Sequence, residues 1–203
     1  MTRLPSHFYA MVDPAGGHEP VVLAETLLDA GARIMQLRLK DAEGRDFLAA
    51  ARTISGMCRK RGAMLIINDR VDIAILANAH GVHLGQTDLP LEAARRIAGP
   101  DKLIGISTHN LEQARAAEDG GADYIGFGPM YPGGLRNNIT GQGLDSLRAI
   151  RVAVKIPIVA IGGITEARIP EVLAAGANAV AIITDVVNAP DLPAKVRSIL
   201  AIE

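Results

Sequence analysis

Eight short apolar runs, each followed by a stretch with helical spacing, constrain this chain more than any other feature. The runs are Phe8–Val12, Arg33–Leu37, Ala63–Ile67, Gly81–Leu84, Leu103–Ile106, Asp123–Phe127, Ile156–Ile161 and Ala179–Ile183. They lack polar alternation, so as strands they are buried on both faces, as parallel strands are. Between them lie Ala-, Leu-, Glu- and Arg-rich segments such as Leu23–Ala30, Asp46–Lys60, Asn110–Gly120 and Thr165–Ala175. Eight strand–helix units in 203 residues predict an α/β fold, a single (β/α)8 TIM barrel. A doubly wound sheet would alternate too, but with fewer strands and a glycine-rich first turn. No linker or low-complexity segment divides the chain, so residues 1–203 read as one domain. The longest irregular stretch, about 128–143, is rich in glycine and proline and too long for an ordinary connection; it reads as a lid-like loop.

Composition narrows the function classes. Lys plus Arg number 21 against 22 acids, a net charge of −1. That balance offers no bulk attraction to nucleic acid or an anionic membrane, so any phosphate recognition must be local. The single cysteine, Cys58, excludes an internal disulfide and reads as packing. No run reaches the roughly 18 apolar residues of a membrane span, and the first residues lack the apolar core of a secretory signal. The expected setting is cytoplasmic, with small molecules as partners; a homo-oligomer is compatible with everything above.

Several runs end in polar residues that no barrel wall requires. In a parallel α/β protein the C-terminal strand ends converge on one face, where ligands bind. Gln36, Arg38 and Lys40 alternate at the end of the second run, so period-two geometry points all three the same way. Arg offers a fork to phosphate oxygens and Lys a movable charge. Asn68, Asp69 and Asp88 follow the third and fourth runs, whose ends are neighbours in a barrel. Two carboxylates suit Mg²⁺ that keeps its other positions for water and diphosphate oxygens. Equally, Asp69 and Asp88 could cap the helices that follow, since Asp is a favoured N-cap. Ser107 closes the fifth run, His109 follows as a candidate acid–base group or a structural residue, and Asn110 reads as a helix cap. His83 reads as a buried, hydrogen-bonded histidine. Gly162-Gly163 after the seventh run and Ile183-Thr184 after the eighth match the common barrel phosphate site, where backbone N–H groups face the anion. Two anion sites emerge, one for a metal-bound diphosphate and one for a monophosphate, which suggests two substrates joined between them.

At these residues the chain resembles the thiamine phosphate synthase family. The likeness lies in Gln-x-Arg-x-Lys, Ile-Asn-Asp-Arg-Val-Asp-Ile-Ala, Gly-Val-His-Leu-Gly-Gln-x-Asp, Ile-Gly-x-Ser-x-His, Ala-Asp-Tyr-Ile-Gly-x-Gly-Pro and Ala-Ile-Gly-Gly-Ile, in order from about Tyr9 to Pro190. The resemblance implies a transferase that joins hydroxymethylpyrimidine diphosphate to thiazole phosphate, by a dissociative, Mg-assisted route in which diphosphate leaves first. It implies that Gln36 touches the pyrimidine and that Arg38, Lys40 and Asn68 hold diphosphate. Asp69 and Asp88 would bind Mg²⁺, Ser107 the pyrimidine amine or the leaving group, and the backbone at Gly163, Ile183 and Thr184 the thiazole phosphate. One segment departs from the family. A Thr-x-Thr-Lys stretch is replaced by Gly133-Gly134-Leu135-Arg136, leaving Arg136 to supply the charge and Thr140 or Asn137 to stand in for the threonines. Two other readings share the fold: a thiazole tautomerase, in which His109 would be the acid–base group, and a non-catalytic phosphate-ligand binder. The retained Arg38, Lys40, Asn68, Asp69 and Asp88 favour the synthase.

Overall fold

In the computed structural model, which describes residues 3–132 and 140–202, all eight runs become strands. They are β1 Phe8–Val12, β2 Ile34–Leu37, β3 Met64–Asn68, β4 Gly81–Leu84, β5 Leu103–Thr108, β6 Tyr124–Phe127, β7 Ile158–Ile161 and β8 Ala179–Ile182. Each pairs in parallel with the next, and β8 closes onto β1 through Tyr9 opposite Ala181. The helices among the described residues are α1 Pro20–Asp29, α2 Gly44–Lys60, α3 Val71–Leu76, α4 Leu91–Ala98, α5 Leu111–Asp119, α6 Gly143–Ala153, α7 Ile169–Ala174, α8 Thr184–Val187 and α9 Leu192–Leu200. None is long and apolar enough to cross a membrane.

Period-two alternation splits the strands into two cores. Phe8, Ala10, Val12, Met35, Leu37, Leu65 and Ile67 pack outward with the helices, and Cys58 is buried in this layer. Tyr9, Met11, Ile34, Ile66, Tyr124, Val159, Ala179 and Ala181 fill the barrel interior. The inward series at the C-terminal strand ends is therefore the one that carries polar side chains. Two glycines make room for it. A methyl group on Gly105 would lie 2.1 Å from Tyr124 Cζ, and one on Gly126 would lie 3.0 Å from His83 Cε1. The bulky rings occupy space that the neighbouring strands leave empty.

Two local expectations change. The segment Thr165–Ala175 is not one helix: a 3-10 turn, Glu166–Arg168, precedes α7. Pro170 falls in the first turn of α7, where its missing N–H costs nothing, whereas inside a continuous helix it would break a bond. Strand β5 runs one residue past Ser107, because Thr108 pairs with Phe127 and donates from Oγ1 to Gly126 O at 3.0 Å. Asn110 caps α5 as expected, its side chain accepting from Gln113 N.

Candidate active site

The strand C-terminal ends enclose a cavity of about 430 Å³. Its wall contains Gln36, Arg38, Lys40, Asn68, Asp69, Asp88, Ser107, His109, Gly163, Ile183 and Thr184, so the sequence-predicted residues that fall within the described segments come together at one mouth. Arg136 and the segment Gly133–Ile139 lie outside the described residues. At the opposite end of the barrel a hollow of about 580 Å³ is lined by Arg3, Leu4, Pro5, Ser6, His7, Pro157 and Asn178. Among the described residues its lining holds no carboxylate.

On the β2–β4 side, cations and carboxylates are interlocked. Arg38 Nη1 lies 2.5 Å from Oδ2 of Asp13, which is 3% exposed at the end of β1. A nearly buried carboxylate thus aims the guanidinium, and Asp13 is a site residue that sequence reasoning passed over. The signal was there: Asp13 follows an apolar strand directly, the same pattern that marked the other strand ends. Lys40 Nζ lies 3.1 Å from Asp69 Oδ2. Asp69 has φ +62°, a left-handed conformation uncommon for a residue with a side chain and concentrated at functional sites. Burial raises the Asp69 carboxyl above its ordinary range, Lys40 opposes the shift, and the adjacent Asp88 carboxyl adds to it.

Helix capping does not explain the two acids. Arg70 and Pro90 occupy the N-cap positions of α3 and α4 without side-chain caps. Asp88 Oδ2 instead accepts from Gly85 N at 2.7 Å, bracing the loop after β4. Among the described residues no group of three His, Cys, Asp or Glu side chains gathers to hold a metal. Two close carboxylates nevertheless fit Mg²⁺, which is usually held by one or two carboxylates and completed by substrate phosphates and water.

Opposite lies the β7–β8 side. Gly162 and Gly163 have φ +96° and +65°, and a methyl group on Gly163 would come within 2.8 Å of Tyr131 O. The double glycine is required both by its backbone conformation and by the Tyr131 segment packed on it. Arg168 donates to Gly163 O at 2.7 Å and stacks 4.1 Å over the Tyr131 ring. Behind the two loops, Lys195 lies 2.8 Å from Glu166 and 3.0 Å from Asp185, tying the segment after β7 to the segment after β8.

Between the two halves runs a polar chain. Gln36 Nε2 donates to Tyr9 Oη at 3.0 Å, and Tyr9 Oη lies 2.9 Å from Tyr124 Oη. Tyr124 Oη lies 3.1 Å from His83 Nδ1, and His83 Nε2 lies 2.9 Å from Ser107 Oγ. Gln86 donates to Ser107 O at 2.6 Å. Burial pushes the His83 pKa down to about 4 and that of Tyr9 up to about 12, so both are neutral near pH 7. Tyr9 and Tyr124 were not singled out from sequence, since tyrosine in an apolar strand looks like core. His109 is exposed, with Nδ1 on Gly128 O at 2.7 Å, so Nδ1 carries the proton and a neutral ring keeps its lone pair at Nε2.

The site and fold agree with known proteins. A profile described as thiamine monophosphate synthase matches residues 8–186. A thiamine-phosphate synthase of Moorella thermoacetica is 43% identical over 183 residues, covering 90% of this chain and 87% of that protein. A bifunctional thiamine biosynthesis protein of Symbiobacterium thermophilum is 46% identical over 186 residues, which are 91% of this chain but 38% of that longer protein. The solved structure of a thiamine phosphate pyrophosphorylase from Pyrococcus furiosus superimposes with a TM-score of 0.88 at 37% identity, covering 95% of this chain and 92% of that one. With its strand-end residues, its closed barrel and its relatives in accord over nearly the whole length, the chain belongs to the thiamine monophosphate synthase family.

Proposed function

We propose that the chain is a thiamine-phosphate synthase, a transferase that couples hydroxymethylpyrimidine diphosphate with thiazole phosphate to give thiamine phosphate and diphosphate. One observation carries the reading: a cation and carboxylate cluster (Arg38, Lys40, Asp69, Asp88) shares a mouth with the Gly163, Ile183 and Thr184 loops. One side suits a diphosphate and the other a monophosphate, so two anionic substrates can face each other across about 430 Å³.

In this reading the pyrimidine enters the barrel beside Gln36, with Arg38, Lys40 and Asn68 on its diphosphate. Asp69 and Asp88 are the residues that would hold Mg²⁺. A bound Mg²⁺ supplies charge to the leaving diphosphate oxygens. The bond between the pyrimidine methylene and the diphosphate oxygen breaks first, its electron pair leaving with oxygen; the thiazole nitrogen lone pair then closes the C–N bond. Such a step asks for little base chemistry and much preorganised charge, and that is how the residues are distributed. Asp13 keeps Arg38 aimed before substrate arrives, and Lys195 keeps the two monophosphate loops at fixed spacing. In sequence Arg136 stands where the family has its lysine, and we assign it the charge that lysine provides. Phosphorylated substrates do not cross membranes unaided, which supports a cytoplasmic setting.

A second reading has one supporting observation. His109 stands in the cavity wall with its Nδ1–H on Gly128 O, which leaves Nε2 as the ring nitrogen for the acid–base step a tautomerase needs. One assay separates the two readings. Purified protein is incubated with Mg²⁺ and both substrates, and in parallel with the carboxylated thiazole tautomer alone. Multiple-turnover formation of thiamine phosphate is the expected result. Aromatisation of the tautomer without coupling would overturn it in favour of the second reading, and tight product binding without turnover would leave a non-catalytic binder.

A further inference from the structure

The chain Gln36–Tyr9–Tyr124–His83–Ser107 draws its members from β2, β1, β6, β4 and β5 and crosses the barrel without a gap. Counting protons along it gives a definite direction. A phenol has one proton to donate. Gln36 Nε2 donates to Tyr9, so the Tyr9 proton goes to its other partner, Tyr124. Tyr124 then gives its own proton to His83 Nδ1. The imidazole is neutral, held so by burial. With Nδ1 accepting, Nε2 carries the proton and donates to Ser107 Oγ. The hydroxyl proton of Ser107 is thereby directed away from His83 and into the cavity.

We propose that this relay sets the hydrogen-bonding sense of its two ends together, with Tyr9, Tyr124 and His83 as positioning residues for Gln36 and Ser107. Gln36 keeps its amide nitrogen on Tyr9 and leaves Oε1 to a ligand, while Ser107 faces the ligand as a donor. On the reading of the cavity given above, an amino substituent on the pyrimidine meets an acceptor at Gln36, and a diphosphate oxygen meets a donor at Ser107. Ser107 therefore serves the leaving group rather than the amine. A ring bearing a carbonyl in place of the amine needs the opposite sense at Gln36, and that requires every bond in the relay to reverse.

The test needs no substrate, so its outcome is separate from the assignment of the reaction. Side-chain ¹⁵N NMR reports which His83 nitrogen carries the proton. The wild-type protein is expected to show the Nε2–H tautomer alone. Gln36→Glu is nearly isosteric, but its carboxylate only accepts, so Tyr9 must donate to it and the whole relay inverts. Arg38 and Lys40 lie two and four residues further along the same face and favour the ionised carboxylate. The carboxyl ¹³C shift, followed from pH 6 to 9, shows its state in the same sample. The expected result is a change from Nε2–H to Nδ1–H at His83 that follows ionisation of residue 36, a residue His83 does not touch. Ionisation without a change of tautomer would overturn the proposal. Should the carboxyl stay protonated, the wild-type tautomer decides: Nε2–H is the sense the relay imposes, and an Nδ1–H ring in the wild-type protein overturns the proposal.

Discussion

Replacing Gly105 by Ala should be among the most damaging single-methyl additions this barrel can receive. The new methyl carbon would lie 2.1 Å from Tyr124 Cζ and 2.5 Å from both Cε1 and Oη. Tyr124 is fully buried and fixed at its hydroxyl by Tyr9 and His83, so its ring has no free direction in which to move. Overpacking of this kind costs about 1–3 kcal/mol. Displacing the hydroxyl also forfeits two bonds of about 1 kcal/mol each and strands buried partners. The sum is about 3–5 kcal/mol. For a chain of this size each kcal/mol lowers the midpoint by about 2–4 °C, so the variant should melt about 6–20 °C below wild type. Differential scanning calorimetry at neutral pH measures it. The contact is specific to the ring tip, so in a Tyr124→Leu background the same Gly105→Ala change should cost far less. A shift of under about 2 °C in the otherwise wild-type protein, or an equal loss in both backgrounds, would refute the claim that Gly105 is empty so that Tyr124 can reach the relay.

Three further outcomes are expected. His83 has its pKa lowered by burial to about 4 from 6.5, so between those values the unfolded chain binds a proton that the folded chain refuses. Stability is therefore lost as pH falls through this window, by about 2–3 kcal/mol between pH 7.5 and 4.5, and urea unfolding of wild type against His83→Gln should show the smaller slope in the variant. Asp13→Asn should loosen Arg38 and raise KM for the pyrimidine diphosphate about tenfold, one charge-assisted bond's worth. In steady-state kinetics KM for thiazole phosphate should stay unchanged. Lys195→Met takes away the cation shared by Glu166 and Asp185, leaving the bond from Glu166 N to Asp185 Oδ2 at 2.9 Å as the remaining tie, and should do the reverse, raising KM for thiazole phosphate about twofold to threefold while the melting temperature moves little, since partly exposed ion pairs contribute at most about 1 kcal/mol.

The architecture was legible because its determinants are local. Apolar runs buried on both faces, spaced by helical segments, specify a parallel barrel, and period-two alternation already separated Gln36, Arg38 and Lys40 from the outward-facing Leu37. The strand-end polar residues were legible for the same reason: an apolar strand has no structural use for Asn68-Asp69 at its tip. The relay was not. Its members are separated by up to 115 residues, and their meeting depends on the register of five strands and on two glycines that admit the rings. Asp13 escaped notice through its position after the one strand whose polar end had not been weighed. The capping alternative for Asp69 and Asp88 could be removed only by seeing which residues precede α3 and α4. Pro170 did mark the start of α7, but its effect on the preceding turn depends on where the loop after β7 must go.

Whether one barrel mouth holds two separate anion sites is decided by calorimetric titration of thiazole phosphate. Binding is measured to the protein alone and to the protein saturated with Mg²⁺ and inorganic diphosphate. Both ligands are expected to bind at once, with the thiazole phosphate affinity unchanged within about threefold, because nearby charges are screened and shared across the mouth. Mutual exclusion, seen as a loss of affinity that grows with diphosphate concentration, would mean a single anion site and would contradict that expectation.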